Sequence, residues 1–172
     1  MRLTVMAEKR EIILVKAAGS GAGDEHLFWL FSKNQLEMVL RDIVTESVPA
    51  QSSLTQGVVN WQDEPLPLVN LEGYYGTAGI AAEQPTRYLF IKGAARTADE
   101  VRLAMIVVPI YTEMRMGALD IDGKPISTLP LRANVTDIHG IYALEGGGVA
   151  VVPDIWRIAS RCREEGQDGT RR

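Results

Sequence analysis

LAMIVVPIYTE (residues 103–113) repeats LEMVLRDIVTE (residues 36–46), with Leu, Met, Ile, Thr and Glu coinciding at five of eleven positions. Reading the two together decides the fold, because the first copy alone is ambiguous. In it Leu36, Val39, Leu40, Ile43 and Val44 fall at helical spacing. The second is β-branched and carries Pro109 near its middle, which suits an extended strand with a break at an edge or bulge. Copies of one unit share one conformation, so both read as strand, kink, strand, with Asp42 in the place of Pro109. The helical spacing is then accidental.

The repeat extends outward from this pair. Each copy follows an aromatic-apolar run, HLFWLF (residues 26–31) and RYLFIK (residues 87–92). Each is followed by a glycine-led segment, GVVNWQDEPLPLVNL (residues 57–71) and GIYALEGGGVAVVPDI (residues 140–155). Matched blocks in one order point to a duplicated β unit, and so to a binding shape more than a catalytic pocket. The glycine-led segments read as hairpins. VVNW and LPLV flank Gln62-Asp63-Glu64-Pro65, while IYAL and VAVV flank Glu145-Gly146-Gly147-Gly148, a source of positive φ. Asn70 and Asp154 then stand before apolar residues as helix N-caps. A last helix is expected from about Asp154 to Glu165, with Ile155, Trp156, Ile158, Ala159 and Cys162 on one face.

The predicted organisation is an N-terminal extension (residues 1–24), one domain (residues 25–165) and a disordered tail (residues 166–172). Within the domain, halves at about 26–76 and 87–160 each supply most of one β-barrel, joined by a linker at 77–86. EIILV (residues 11–15) reads as an additional strand, and residues 115–137 as a short hairpin and loop.

Composition excludes several function classes. The chain has 172 residues, 46% hydrophobic and 23% charged, with a net charge of −4. No basic cluster exceeds Arg171-Arg172, so nucleic acid is not an expected partner. No apolar run nears the roughly 20 residues of a membrane span, and Glu8, Lys9, Arg10 and Glu11 interrupt any secretory signal. A single Cys162 excludes an internal disulfide and fits a reducing compartment, so a cytoplasmic protein is expected.

Catalytic and metal signatures fail one by one. Gly19-Ser20-Gly21-Ala22-Gly23 precedes a strand, and a phosphate loop needs a helix N-terminus. Asp120-Ile121-Asp122-Gly123 has Leu129 where a calcium loop needs its bidentate Glu, leaving a turn at Asp122-Gly123. His26, His139 and Cys162 stand apart from further ligands. No nucleophile elbow or metalloprotease motif is present. The expectation is no enzyme, no metal and no cofactor.

Taken together, these blocks resemble the CheW-like family of bacterial chemosensory adaptors. GVVNWQDEPLPLVNL is similar to its G-V-x-N-L-R-G…P-V-x-D-L pattern, with Gln62 for the Arg, Asp63 for the Gly and Asn70 for the Asp. Residues 26–46 resemble its opening strands and V-x-E element, which is Val44-Thr45-Glu46 by identity or Ile43-Val44-Thr45 by counting from the first strand. DIHGIYALEGGGVAVVPDIWRI (residues 137–158) is similar to its closing hairpin and helix. The resemblance implies a mainly β fold: two SH3-like five-stranded barrels, pseudo-two-fold related, with a short C-terminal helix.

It also implies a non-catalytic adaptor or scaffold that couples the cytoplasmic tips of methyl-accepting chemoreceptors to a CheA-type histidine kinase. Such a protein acts in two-component chemotaxis signalling, is recruited to membrane-associated arrays and inserts in no membrane. An array governing type IV pili (twitching) is the alternative within the family, and a small-molecule-binding β-barrel the alternative from another class. Expected protein-binding residues are Ile43, Val44, Glu46, Gly57, Asn60 and Gln62 in the first half, with Val107, Val108 and Ile110 as kinase contacts in the second. If Gln62 neighbours Glu46, that carboxylate lacks the charged partner an Arg would give it. Glu113, the second Thr-Glu acid, reads as a guard against edge pairing.

Overall fold

The computed structural model describes residues 10–18, 26–46, 54–76, 84–119, 136–144 and 147–168. The Gly19–Gly23 loop, the Asp122-Gly123 turn, most of the 77–86 linker and residues 169–172 lie outside them. The described chain runs β1 (Arg10–Lys16), β2 (Leu27–Ser32), a 3₁₀ turn (Lys33–Gln35), β3 (Leu36–Leu40), β4 (Gly57–Trp61), β5 (Glu64–Leu68) and α1 (Leu71–Tyr75). It continues through β6 (Arg87–Arg96), β7 (Val101–Ile110), β8 (Met114–Leu119), β9 (Ile138–Ala143), β10 (Val149–Pro153) and α2 (Ile155–Asp168). The fold is mainly β, in two five-stranded sheets ordered β8-β1-β2-β10-β9 and β3-β6-β7-β5-β4. Each is antiparallel except for one parallel contact at the same place, β2 with β10 and β7 with β5. The strand orders are therefore equivalent, as the pseudo-two-fold expectation requires.

The two halves trade hairpins. β3, β4 and β5 from the first half surround β6 and β7 from the second, while β8, β9 and β10 surround β1 and β2. Residues 10–16, set aside in the sequence as an extension with an added strand, are thus an inner strand of a sheet. The equivalence also corrects the repeat. β4–β5 matches β9–β10 as read, but β7 is the counterpart of β2, so residues 103–113 do not correspond to residues 36–46. A strand buried on both faces shows no alternation to fix its phase. β2 and the Ile106–Ile110 part of β7 are both of this kind.

Three clusters show the two faces of these strands. Trp29 and Phe31 on β2, with Ile106, Val108 and Ile110 on β7, join α1 and α2 residues in a core shared by both sheets. Phe28 and Leu30 fill the barrel of β1 and β2, while Val107 joins Val59, Leu66, Leu68 and Phe90 in the other. Residues 36–40 are strand and not helix, as expected. The break expected at Pro109 is absent, because β7 pairs with β6 without interruption from Arg87–Ile110 to Arg96–Val101. Val69 N donates to Val107 O, whereas Thr86 N donates to Ile110 O, so odd-numbered β7 residues direct their backbone groups away from β6. Pro109 therefore lacks its N–H where β5 has already turned into α1.

Local signals behave as the sequence suggests. The Asn70 side chain accepts from Gly73 N at 3.1 Å, and Asp154 Oδ1 accepts from Arg157 N at 3.1 Å. α2 continues to Asp168, past the expected start of the tail at residue 166. Gly147 and Gly148 have φ of 92° and 122° in the β9–β10 turn. The β4–β5 hairpin closes through Gln62 and Asp63 at φ 48° and 64°, both in the left-handed region. That turn favours glycine at its second position. Asp63→Gly is expected to stabilise the protein by about 0.5–1 kcal/mol, read as an upward shift of the chemical denaturation midpoint.

Candidate docking surface

Beyond β3 the chain returns to the sheet at one residue. Glu46 N donates to Val58 O at 2.8 Å, and Val58 N donates to Glu46 O at 3.0 Å. This bridge joins the chain that follows one edge strand, β3, to the other edge strand, β4, and so closes the β3–β7 sheet into a barrel. Gly57 is buried beside it, where an added Cβ would lie 3.1 Å from Glu46 O. On the outer side the Asn60 amide donates to Glu46 Oε1 at 2.8 Å, with both residues exposed. Val44 stands 87% exposed next to them and Ile43 is half-buried against the barrel core. Glu46, Gly57 and Asn60 thus meet in one place on one barrel, with Ile43 and Val44 on the segment leading to it. Gln62 is exposed at the hairpin tip. The amide bonded to Glu46 is that of Asn60, and among the described residues no hydrogen bond joins Glu46 to Gln62.

The second-half candidates are corrected. Val107, Val108 and Ile110 are 0%, 2% and 2% exposed and pack in the cores described above. A run of apolar residues without polar alternation reads better as a strand covered on both sides than as a docking strip.

A second cluster was not anticipated. Asp137, 3% exposed at the entry to β9, accepts from Arg161 Nε at 2.7 Å and from Tyr74 Oη at 2.5 Å through Oδ2. Its carbonyl accepts from Tyr75 Oη at 2.6 Å and from Asp154 N at 2.9 Å. One residue therefore ties α1 to α2. Only a lone acid before a strand marks it in the sequence, a signal too common to single it out. His139 Nε2 lies 3.6 Å from Asp154 Oδ2, beside Arg157 and Arg161 in an open groove along α2. No group of three His, Cys, Asp or Glu among the described residues could hold a metal ion.

Burial sets the protonation of this region. It raises the Tyr74 and Tyr75 hydroxyls far above their ordinary range, helped at Tyr74 by its bond to the Asp137 carboxylate. The Cys162 thiol is pushed up to about 12, by burial first and by Glu165 second. It is a packing thiol, not a nucleophile. Above a pH of about 9 the unfolded chain loses this proton while the folded chain keeps it, so stability falls as pH rises from about 9 towards 12. The tyrosines act in the same direction from about pH 10. The melting temperature is expected to drop between about pH 8 and 10.5, and Cys162→Ala to make the first part of the drop shallower.

The sequence matches the CheW-like domain over residues 32–163. The chain belongs to the CheW-like family. Among solved structures it is similar to the scaffolding protein TtCheW from Thermoanaerobacter tengcongensis, at 12% identity and a TM-score of 0.59. That likeness covers 84% of this chain and 88% of the other, and supports the paired SH3-like barrels. No curated protein sequence matches the chain.

Proposed function

We propose that this chain is a non-catalytic adaptor in bacterial chemosensory signalling, coupling the cytoplasmic tips of chemoreceptors to a CheA-type histidine kinase. The observation that carries the reading is the CheW-like match across residues 32–163, within which the Glu46–Val58 closure presents exposed Val44, Glu46 and Asn60 together. An apolar side chain in a polar rim is the common form of a protein-binding centre. Among the described residues no helix is long and apolar enough to cross a membrane, which accords with a cytoplasmic adaptor recruited to receptor arrays.

The test is affinity capture with the purified chain as bait. Recovery of a CheA-type kinase or a chemoreceptor supports the reading; a tightly retained metabolite with neither protein overturns it. Val44→Asp is expected to weaken kinase or receptor capture by about 2 kcal/mol, roughly thirty-fold, if Val44 is a binding centre. Its melting temperature should stay at the wild-type value, because the side chain is 87% exposed. Unchanged capture would remove Val44 from the interface.

A further inference from the structure

The β6–β7 hairpin outruns its barrel. β7 pairs with β6 along all ten residues, from Val101 to Ile110, but with β5 only at Val107, opposite Leu68. The reason lies in EPLPL (residues 64–68). Gln56 N donates to Leu68 O on the β4 side and Val69 N donates to Val107 O on the β7 side, so Pro65 and Pro67 face β7. Neither has an N–H to give. In the parallel register their missing donors are those that would meet the carbonyls of Leu103 and Met105. The ladder ends there, and among the described residues β7 continues with an unpaired edge.

On one face the side chains along that edge do not protect it. Val101 is 55% exposed and Leu103 66%, on the face that continues inward to Met105 and Val107 of the barrel core. Exposed edges are ordinarily blunted by charge, proline or a covering element; here the prolines sit on the neighbouring strand and open the edge instead. Opposite Val101, on the same face, stands the exposed cation Arg96. The opposite face is occupied at Ala104, which is buried beside Gly93 against the start of α2, while Arg102 on that face is exposed and paired with Glu100.

We infer that the Val101–Met105 edge of β7 accepts an extended segment of a partner protein as an added strand, one with apolar side chains at alternate positions and an acidic residue facing Arg96. Only an extended backbone supplies donors and acceptors at the spacing of a strand edge, and alternate apolar side chains match Val101 and Leu103. A second copy is the weaker occupant. Edge pairing over five residues buries less than the roughly 1,200 Å² of a stable interface. The inference does not depend on the adaptor reading, because its test uses a synthetic probe.

The probe is the blocked hexapeptide Glu-Val-Thr-Val-Thr-Val, added to the full chain, beside the same peptide with every backbone nitrogen methylated. Amide exchange at Val101 and Leu103 is expected to slow at least ten-fold with the first and not at all with the second. Leu103→Asp is expected to weaken peptide binding at least ten-fold without changing the melting temperature. Unchanged exchange at millimolar peptide, or equal protection by the methylated form, overturns the proposal. Protection that rises with protein concentration and without peptide also overturns it, in favour of a second copy of the chain.

Discussion

Val107→Asp and Val108→Asp are each expected to abolish the folded protein or lower its stability by about 4 kcal/mol or more. Val107 is fully buried among Val59, Leu66, Leu68 and Phe90, and Val108 is 2% exposed in the core shared by the two sheets. The described residues of both clusters are hydrophobic and include no cation, so the new group must be desolvated alone or protonated. At this chain length the melting temperature should fall by roughly 10 °C or more. Any lost kinase binding would then report unfolding, which separates these variants from Val44→Asp. A variant at either position that melts at the wild-type temperature would show that the strand is not buried as described.

Gly93→Ala is expected to cost about 3 kcal/mol, although it adds a single methyl group. Its Cβ would lie 2.5 Å from Trp156 N, 2.7 Å from Ile155 Cβ and 2.9 Å from Ile155 C. Two of these atoms are backbone in the first turn of α2, so no side-chain rotation relieves the clash. Relief requires the helix to lift from β6, and Ile155, Ile158 and Ala159 are anchored in the shared core. Gly117 is the matched control, since an added Cβ there meets nothing within 4 Å. Thermal melts of Gly93→Ala and Gly117→Ala side by side check the contrast; equal melting temperatures would mean that α2 adjusts freely.

What was legible in the sequence was local. Asn70 and Asp154 marked the helix starts because capping is settled within three residues, and Gly147 and Gly148 marked a turn because positive φ is costly elsewhere. Barrel number and class followed from the repeat and the family resemblance. Strand partnership was not legible. β2 and the Leu103–Ile110 stretch of β7 are apolar on both faces, so identity alone set the repeat alignment, and Thr-Glu matched residues that do different work. Glu46 closes a barrel through Val58, whereas Glu113 is exposed at the entry to β8 and accepts from Lys16 N through its carbonyl. The same missing alternation let Val107, Val108 and Ile110 pass for surface residues. Glu46, Gly57 and Asn60 are named by the resemblance alone, through its V-x-E and G-V-x-N elements, and the structure brings these two short motifs together at one bridge. Asp137 was missed because its partners, Tyr74, Tyr75 and Arg161, are remote in sequence and no spacing announces them.

The traded hairpins also impose an order of assembly as the chain emerges from the ribosome. Strands β3 to β7 occupy one continuous stretch, so that barrel can close while synthesis is still under way. The other cannot. β2 must wait for β10, whose contact begins at Leu27–Val149 and so lies more than a hundred residues downstream. At roughly 5–20 residues per second that delay is on the order of ten seconds. Through this interval the β1–β2 hairpin, with Trp29 and Phe31 among its side chains, lacks the strands that flank it, first β8 and then β10. A nascent chain stalled before β10 should therefore hold one finished barrel and one sticky hairpin, making it a natural client for chaperones until its last strand and helix arrive.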